Sequence, residues 1–216
     1  MALFYFVRHG VSGWNAENRL CGRTDVALSD EGRRQAALLG ERLRGLAPSA
    51  LYTSPLRRAM ETAEILAASV GRKPTVDDRL TELDYGAWEG KTFAEIMAQE
   101  GDAFRAWDAD PGNVPPRGGE SGAQALRRVA PFLDEITARH SGEHEHVIVV
   151  CHRTICRLVV CHVLRLSPSE YRRRLSMDNA ALNIIESTEH GWRLILFNDT
   201  SHLAPIHTET TLNEAF

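Results

Sequence analysis

Long apolar runs, closely paired cysteines and an excess of one charge are all missing from this chain, and each absence closes off a class of function. The first apolar stretch, Leu3 to Val7, is far too short to span a membrane. It has no basic segment before it and no cleavage site after it, so a cytoplasmic protein with no membrane partner is expected. Only four cysteines occur in 216 residues (Cys21, Cys151, Cys156 and Cys161), and no two stand at C-x-x-C spacing. They read as packed, reduced thiols rather than a disulfide framework. A net charge of −4 supplies no general attraction to nucleic acid or anionic lipid. Any anion site must therefore be a local gathering of arginines. Repeats, low-complexity stretches and linkers are absent as well, which favours a single domain over 1–216, with about 207–216 a loose tail.

The remaining composition, 43% apolar and 25% charged, is that of an ordinary globular domain. Leu3 to Val7 reads as a buried strand that stops at Arg8-His9-Gly10. Ser29 caps a helix with Ala36, Leu39, Leu43 and Leu46 in a stripe, ended by Pro48. Ala50 to Thr53 is a short strand. Ser54-Pro55 then opens a second helix, with Ser54 as N-cap, that turns Leu56, Ala59, Ala63 and Leu66 inward. Thr75-Val76 is a candidate third strand. Thr92 and Glu95 form a capping box for a helix over Phe93 to Gln99. Ser121 begins a long helix with a bend expected at Pro131, and His146 to Val150 is a strongly apolar strand followed by a helix from Thr154 to Leu164. Ala181 to Ile185 and Trp192 to Phe197 complete the set. Strands alternating with helices predict a three-layer α/β/α sandwich around a mostly parallel sheet.

In such sheets ligands bind beyond the carboxyl ends of strands. Polar residues stand at four such junctions: Arg8-His9, Arg58 in the first turn after Ser54-Pro55, Glu82 in an irregular segment, and His152 directly after the apolar strand. Two strands ending in histidine could gather two imidazoles at one sheet edge.

These residues sit inside longer motifs. Phe6-Val7-Arg8-His9-Gly10 precedes Trp14-Asn15, Gly22-Arg23-Thr24-Asp25 and Leu28-Ser29-Asp30-Glu31-Gly32. Further on come Thr53-Ser54-Pro55-Leu56-Arg57-Arg58-Ala59, Leu80-Thr81-Glu82-Leu83-Asp84-Tyr85-Gly86, Pro116-Arg117-Gly118-Gly119-Glu120-Ser121, Cys151-His152 with Arg157, and Asn198-Asp199-Thr200-Ser201-His202-Leu203. In this order, over nearly the whole chain, they resemble the histidine phosphatase superfamily in its phosphoglycerate mutase-like branch. No single one of them is specific, but together they are.

The resemblance implies a phosphoric monoester hydrolase in which His9 accepts the phosphoryl group as phosphohistidine. Arg8, Arg58 and His152 would hold the phosphoryl oxygens, and Glu82 would act as general acid and then base. Neutral imidazole is nucleophilic near pH 7 without an added base. The cations of the site would supply the positive charge, so no metal or cofactor is expected. Asn15, Cys21, Gly22, Arg153 and Thr154 are the candidate substrate-binding residues. The expected partner is a small phosphorylated metabolite, acted on by a monomer or homodimer. The segment after Glu82 is similar to phosphatase-type members, and the long insertion of true mutases is not recognisable. A phosphoglycerate mutase-type phosphotransferase and a non-catalytic phosphate-binding module are the alternatives.

Other readings weigh less. Asp84, Glu89 and Glu120 are lesser candidates for the acid. His140, His144 and His146 suggest a metal site but read as a solvated turn, and Trp88 and Trp107 read as packing. Cys151 to Arg157 spells C-x5-R, yet it lacks the central glycine of a thiol phosphatase loop. One departure from the family stands out. The position after its second histidine is usually small, and here it is Arg153, which could meet a second anionic group on the substrate or turn outward.

Overall fold

The computed structural model describes residues 1–142 and 144–204. The expected tail over 207–216 lies outside the described residues. Among the described residues six strands form one sheet in the order β3-β2-β4-β1-β5-β6. They are β1 (Ala2–Arg8), β2 (Ala50–Thr53), β3 (Pro74–Val76), β4 (His146–Cys151), β5 (Leu182–Thr188) and β6 (Gly191–Asp199). The first four are mutually parallel, and β5 and β6 run antiparallel at one side.

Alternation along the strands builds the three layers. Phe4, Phe6, Val147 and Val149 face one core, while Tyr5, Val7, Ile148 and Val150 face the other. The second core is covered by α2 (Asp30–Arg42) and α3 (Arg57–Val70), through Leu39, Leu43, Ala59, Ala63 and Leu66. The first is covered by α4 (Phe93–Ala109), α5 (Gly122–Arg139) and α6 (Arg153–Val163), with Trp88 and Trp107 packed edge to face at 5.5 Å. A short α1 (Gly13–Ala16) follows β1, and α7 (Tyr171–Arg174) precedes β5. The chain leaves β1 toward the face carrying α2 but leaves its neighbour β4 toward the face carrying α6. Two adjacent strands whose exits part in this way create a crevice at their carboxyl ends.

Caps mark most boundaries where expected. Ser29 accepts from Gly32 N, and Thr92 with Glu95 forms the capping box of α4. Several boundaries differ from the sequence reading. Helix α2 closes at Leu43 rather than running to Pro48, because Gly45 turns the chain with φ of 86°. Helix α4 does not stop at Gln99; it kinks at Glu100 (φ −137°) and continues to Ala109. Helix α5 runs on through Pro131. The N-cap of α3 is Leu56, not Ser54, whose hydroxyl serves another purpose. His140 does not lie in a solvated turn. It is buried between the Tyr52 hydroxyl (3.2 Å) and the Glu145 carboxylate (2.8 Å). Among the described residues no group of three or more His, Cys, Asp or Glu side chains is placed to hold a metal ion, and no helix is long and apolar enough to cross a membrane.

Candidate active site

The register of β1 against β4 sets Arg8 opposite Cys151, so the next residue of each strand, His9 and His152, leaves the sheet at the same level. His9 N donates to Cys151 O at 3.1 Å, which ties the two strand ends together. The imidazole centroids are 5.1 Å apart and the rings meet edge to face. Both rings are buried, with His9 3% and His152 0% exposed. Thr53 pairs with Val150, and this brings Ser54 to the same edge.

His9 is fixed in one tautomer. Its Nδ1 lies 2.7 Å from its neighbour's carbonyl, Gly10 O, and a carbonyl can only accept. Nδ1 therefore carries the proton and Nε2 keeps its lone pair. That carbonyl is itself held by close packing. A Cβ on Gly10 would stand 2.4 Å from Gly32 O, so only glycine lets the start of α2 approach. Burial, then the charges of Arg58 and Arg8, keeps the His9 pKa well below its ordinary value. The ring is neutral at pH 7 and its nucleophilic nitrogen is available.

Arg58, second residue of α3, donates from Nε to His9 Nε2 at 3.2 Å. Its other two nitrogens go to Thr24 O (2.9 Å) and Gly22 O (2.6 Å). The loop offering these carbonyls is clamped by Glu89, which accepts from the backbone of Arg23 and Thr24 at 2.8 Å each. Gly22 has φ of 51°, and a Cβ there would run into the Glu89 carboxylate. Arg8 is buried and donates to Met177 O at 2.5 Å.

His152 is anchored differently. Its Nε2 is 2.7 Å from Ser54 Oγ, which also accepts from Leu56 N. When the hydroxyl gives its proton to Nε2, the proton of a neutral imidazole sits on Nδ1. Among the described residues no group partners this buried nitrogen. Burial, followed by Arg58 and His9, holds the His152 pKa well below its usual value, so the ring is a neutral donor in the free protein.

Glu82 is 6% exposed, and its two carboxylate oxygens accept from Leu83 N (2.8 Å) and Thr154 N (3.2 Å). Behind it, Arg128 donates to the Glu82 carbonyl at 3.1 Å and pairs with Glu120 at 2.9 Å. The lesser acid candidates are thus occupied: Glu89 by the loop, Glu120 by Arg128, and Asp84 by Gly86 N at 2.8 Å.

Of the candidate substrate-binding residues, Asn15 spends its oxygen on the Ser12 hydroxyl (2.9 Å) within the cap of α1. Cys21 lies 3.5 Å from that same hydroxyl, and burial pushes its thiol pKa up. The Gly22 carbonyl holds Arg58, and Thr154 backs Glu82 while its hydroxyl meets Tyr85 at 3.1 Å. Arg153 opens α6, half-buried. Ser54, Glu89 and Arg128 as positioning residues were not foreseen. The signal for Ser54 was there, since a hydroxyl beside Pro55 that is not needed as a cap is free to serve another group. The thiol loop fails as an alternative. Cys151 is fully buried 3.3 Å from Cys156, and burial drives its pKa well above the ordinary thiol value, so no thiolate nucleophile forms.

The profile of the histidine phosphatase superfamily (branch 1) matches residues 4–200, and the chain belongs to that family. Phosphoserine phosphatase 1 of Hydrogenobacter thermophilus is 34% identical over 209 residues, covering 97% of this chain and 98% of the relative. Phosphoglycerate mutase-like protein 4 of Arabidopsis thaliana is 34% identical over 201 residues, covering 91% and 85%. Among solved structures, YhfR of Bacillus stearothermophilus superposes with a TM-score of 0.87 at 31% identity, over 94% of this chain and all of that one. A mycobacterial glucosyl-3-phosphoglycerate phosphatase solved with VO3 gives 0.84 at 30% identity, over 91% and 98%.

Proposed function

We propose that this histidine phosphatase superfamily member hydrolyses small phosphomonoesters in two steps, through a phosphohistidine on His9 and without a metal ion. The observation that carries the reading is the His9 ring. Its proton is tied to Gly10 O, and its free Nε2 stands 3.2 Å from a buried guanidinium. In the first step Nε2 attacks phosphorus while the ester P–O bond breaks, and Glu82 gives the leaving alkoxide its proton. In the second step Glu82 takes a proton from water, the P–N bond breaks and inorganic phosphate leaves. Arg58 and Arg8 hold the phosphoryl oxygens with charge-assisted bonds, and His152 donates to them from Nδ1. Gly22 and Asn15 act by holding Arg58 and the loop after β1 in place. Substrate therefore enters where Arg58 now caps Nε2. The names of phosphoserine phosphatase 1 and the mycobacterial phosphatase, both matched over nearly their full length, support hydrolysis, while phosphoglycerate mutase-like protein 4 is named for the transfer alternative. The unpaired, buried thiols fit a reducing cytoplasm.

Rapid alkaline quenching during turnover of a simple phosphomonoester, followed by mass spectrometry, will find an acid-labile phosphate on His9. His9→Ala removes both the adduct and the activity. A wild type that never carries the adduct, or an alanine variant that still turns over, would reject the proposal. Mutase activity is checked separately with 3-phosphoglycerate and a bisphosphate primer.

A further inference from the structure

Helix α6 carries Arg153 and Arg157 four residues apart, on one face. Arg157 is only 6% exposed, yet among the described residues its Nε has no hydrogen-bond partner, and neither has the buried Nε of Arg153. Arg58 and Arg128 are different, for their donors are matched to carbonyls, an imidazole and a carboxylate. Burial, together with the neighbouring charge of Arg153, pushes the Arg157 pKa down to about 10. The Tyr171 hydroxyl and Trp107 Nε1, also buried in this region, are likewise unmatched among the described residues. Arg172 stacks over the Trp107 ring at 4.7 Å and is paired with Asp108, whereas no carboxylate pairs with Arg153 or Arg157 among the described residues. Unmatched N–H groups and uncompensated positive charge call for acceptor oxygens on an anion.

The position of this patch matters as much as its chemistry. Thr154 lies between the two arginines in sequence, and it joins the patch to the catalytic carboxylate. Its hydroxyl meets Tyr85, and its N–H meets Glu82. Glu82 must face the leaving oxygen that it protonates. Tyr85, which meets Thr154 beside Glu82, also interacts electrostatically with Arg157, so the patch adjoins the carboxylate assigned to the leaving oxygen.

We propose that Arg153 and Arg157 form a second anion subsite that binds a carboxylate on the leaving alcohol, so that the enzyme prefers phosphate esters of hydroxy acids. The inference rests on the phosphatase reading of the same site. A planar carboxylate fits a guanidinium edge through two parallel bonds, and a monoanion costs less to bury beside Tyr85 and Tyr171 than a second phosphate would.

The test compares 3-phosphoglycerate with glycerol 3-phosphate, which replaces the carboxylate by a neutral CH2OH, and with glycerol 1,3-bisphosphate. Wild type will favour 3-phosphoglycerate over glycerol 3-phosphate by about tenfold to a hundredfold in kcat/KM, the range expected for a charged hydrogen bond. Arg153→Ala will collapse that ratio, chiefly through KM. Arg157→Gln will do the same, and Arg157→Lys will restore part of it, with circular dichroism confirming that each variant folds. Calorimetric binding of the three ligands to His9→Ala, with and without Arg153→Ala, reads the same preference without turnover. Equal binding of 3-phosphoglycerate and glycerol 3-phosphate, a preference that survives both arginine substitutions, or tighter binding of the bisphosphate would overturn the subsite. Failure of the phosphatase reading looks different, because wild type would then hydrolyse none of the esters whatever the calorimetry gives.

Discussion

His9 and His152 occupy equivalent positions, one residue beyond the ends of adjacent parallel strands, and both are buried near Arg58. Their hydrogen bonds nevertheless leave opposite ring nitrogens available. His9 gives its Nδ1 proton to a backbone carbonyl and so exposes a lone pair; His152 has its Nε2 at a serine hydroxyl and so keeps a donor free. Residue type and location are the same in the two cases. In the proposed mechanism the partner of the second nitrogen decides which ring attacks and which one stabilises.

The largest test of this contrast sets the two alanine variants side by side. His9→Ala will lose at least about ten-thousand-fold in kcat and all phosphoenzyme, as expected for removal of a nucleophile. His152→Ala will lose about a hundred- to a thousandfold, the usual cost of one oxyanion donor, but will still form the adduct in single-turnover labelling. Loss of the adduct in both would erase the distinction. Ser54→Ala comes next. Releasing Nε2 will lower kcat by about tenfold, with little change in KM. An unchanged kcat would show that the hydroxyl does not set the tautomer of His152.

The smallest effect concerns pH. Both imidazoles have folded pKa values below the ordinary 6.5. Above 6.5 both states are neutral and the groups leave stability unaffected. As pH falls below 6.5, the unfolded chain takes up protons that the folded chain refuses. Each ring then costs up to about 1.4 kcal/mol of stability per pH unit until its folded pKa is reached. Urea unfolding at pH 7.5 and 5.5 will reveal a loss in wild type that is smaller in His152→Ala. For the same reason kcat/KM will not fall as pH drops through 6.5, since His9 remains unprotonated there.

Much of the molecule was readable as local pattern. Strand β2 coincides with the expected Ala50 to Thr53, and the caps at Ser29, Thr92 and Ser121 fall where hydroxyls precede apolar periodicity. Helix ends were less legible. Gly45 competes with Pro48 as a stop signal and wins because its positive φ lies closer to the last turn. The kink at Glu100 carries no proline to announce it.

Arg8, His9, Arg58, Glu82 and His152 could be picked out as chemical groups in a linear chain, because strand ends, helix starts and motif order are properties of neighbouring residues. Which nitrogen of each imidazole is free, which carbonyls steer Arg58, and why Arg157 is left unmatched depend on Gly10, Ser54, Gly22 and the packing of α6, all brought together across long stretches of sequence. Hydrogen bonds are directional and short-ranged, so their partners exist only once the sheet register has set the distances.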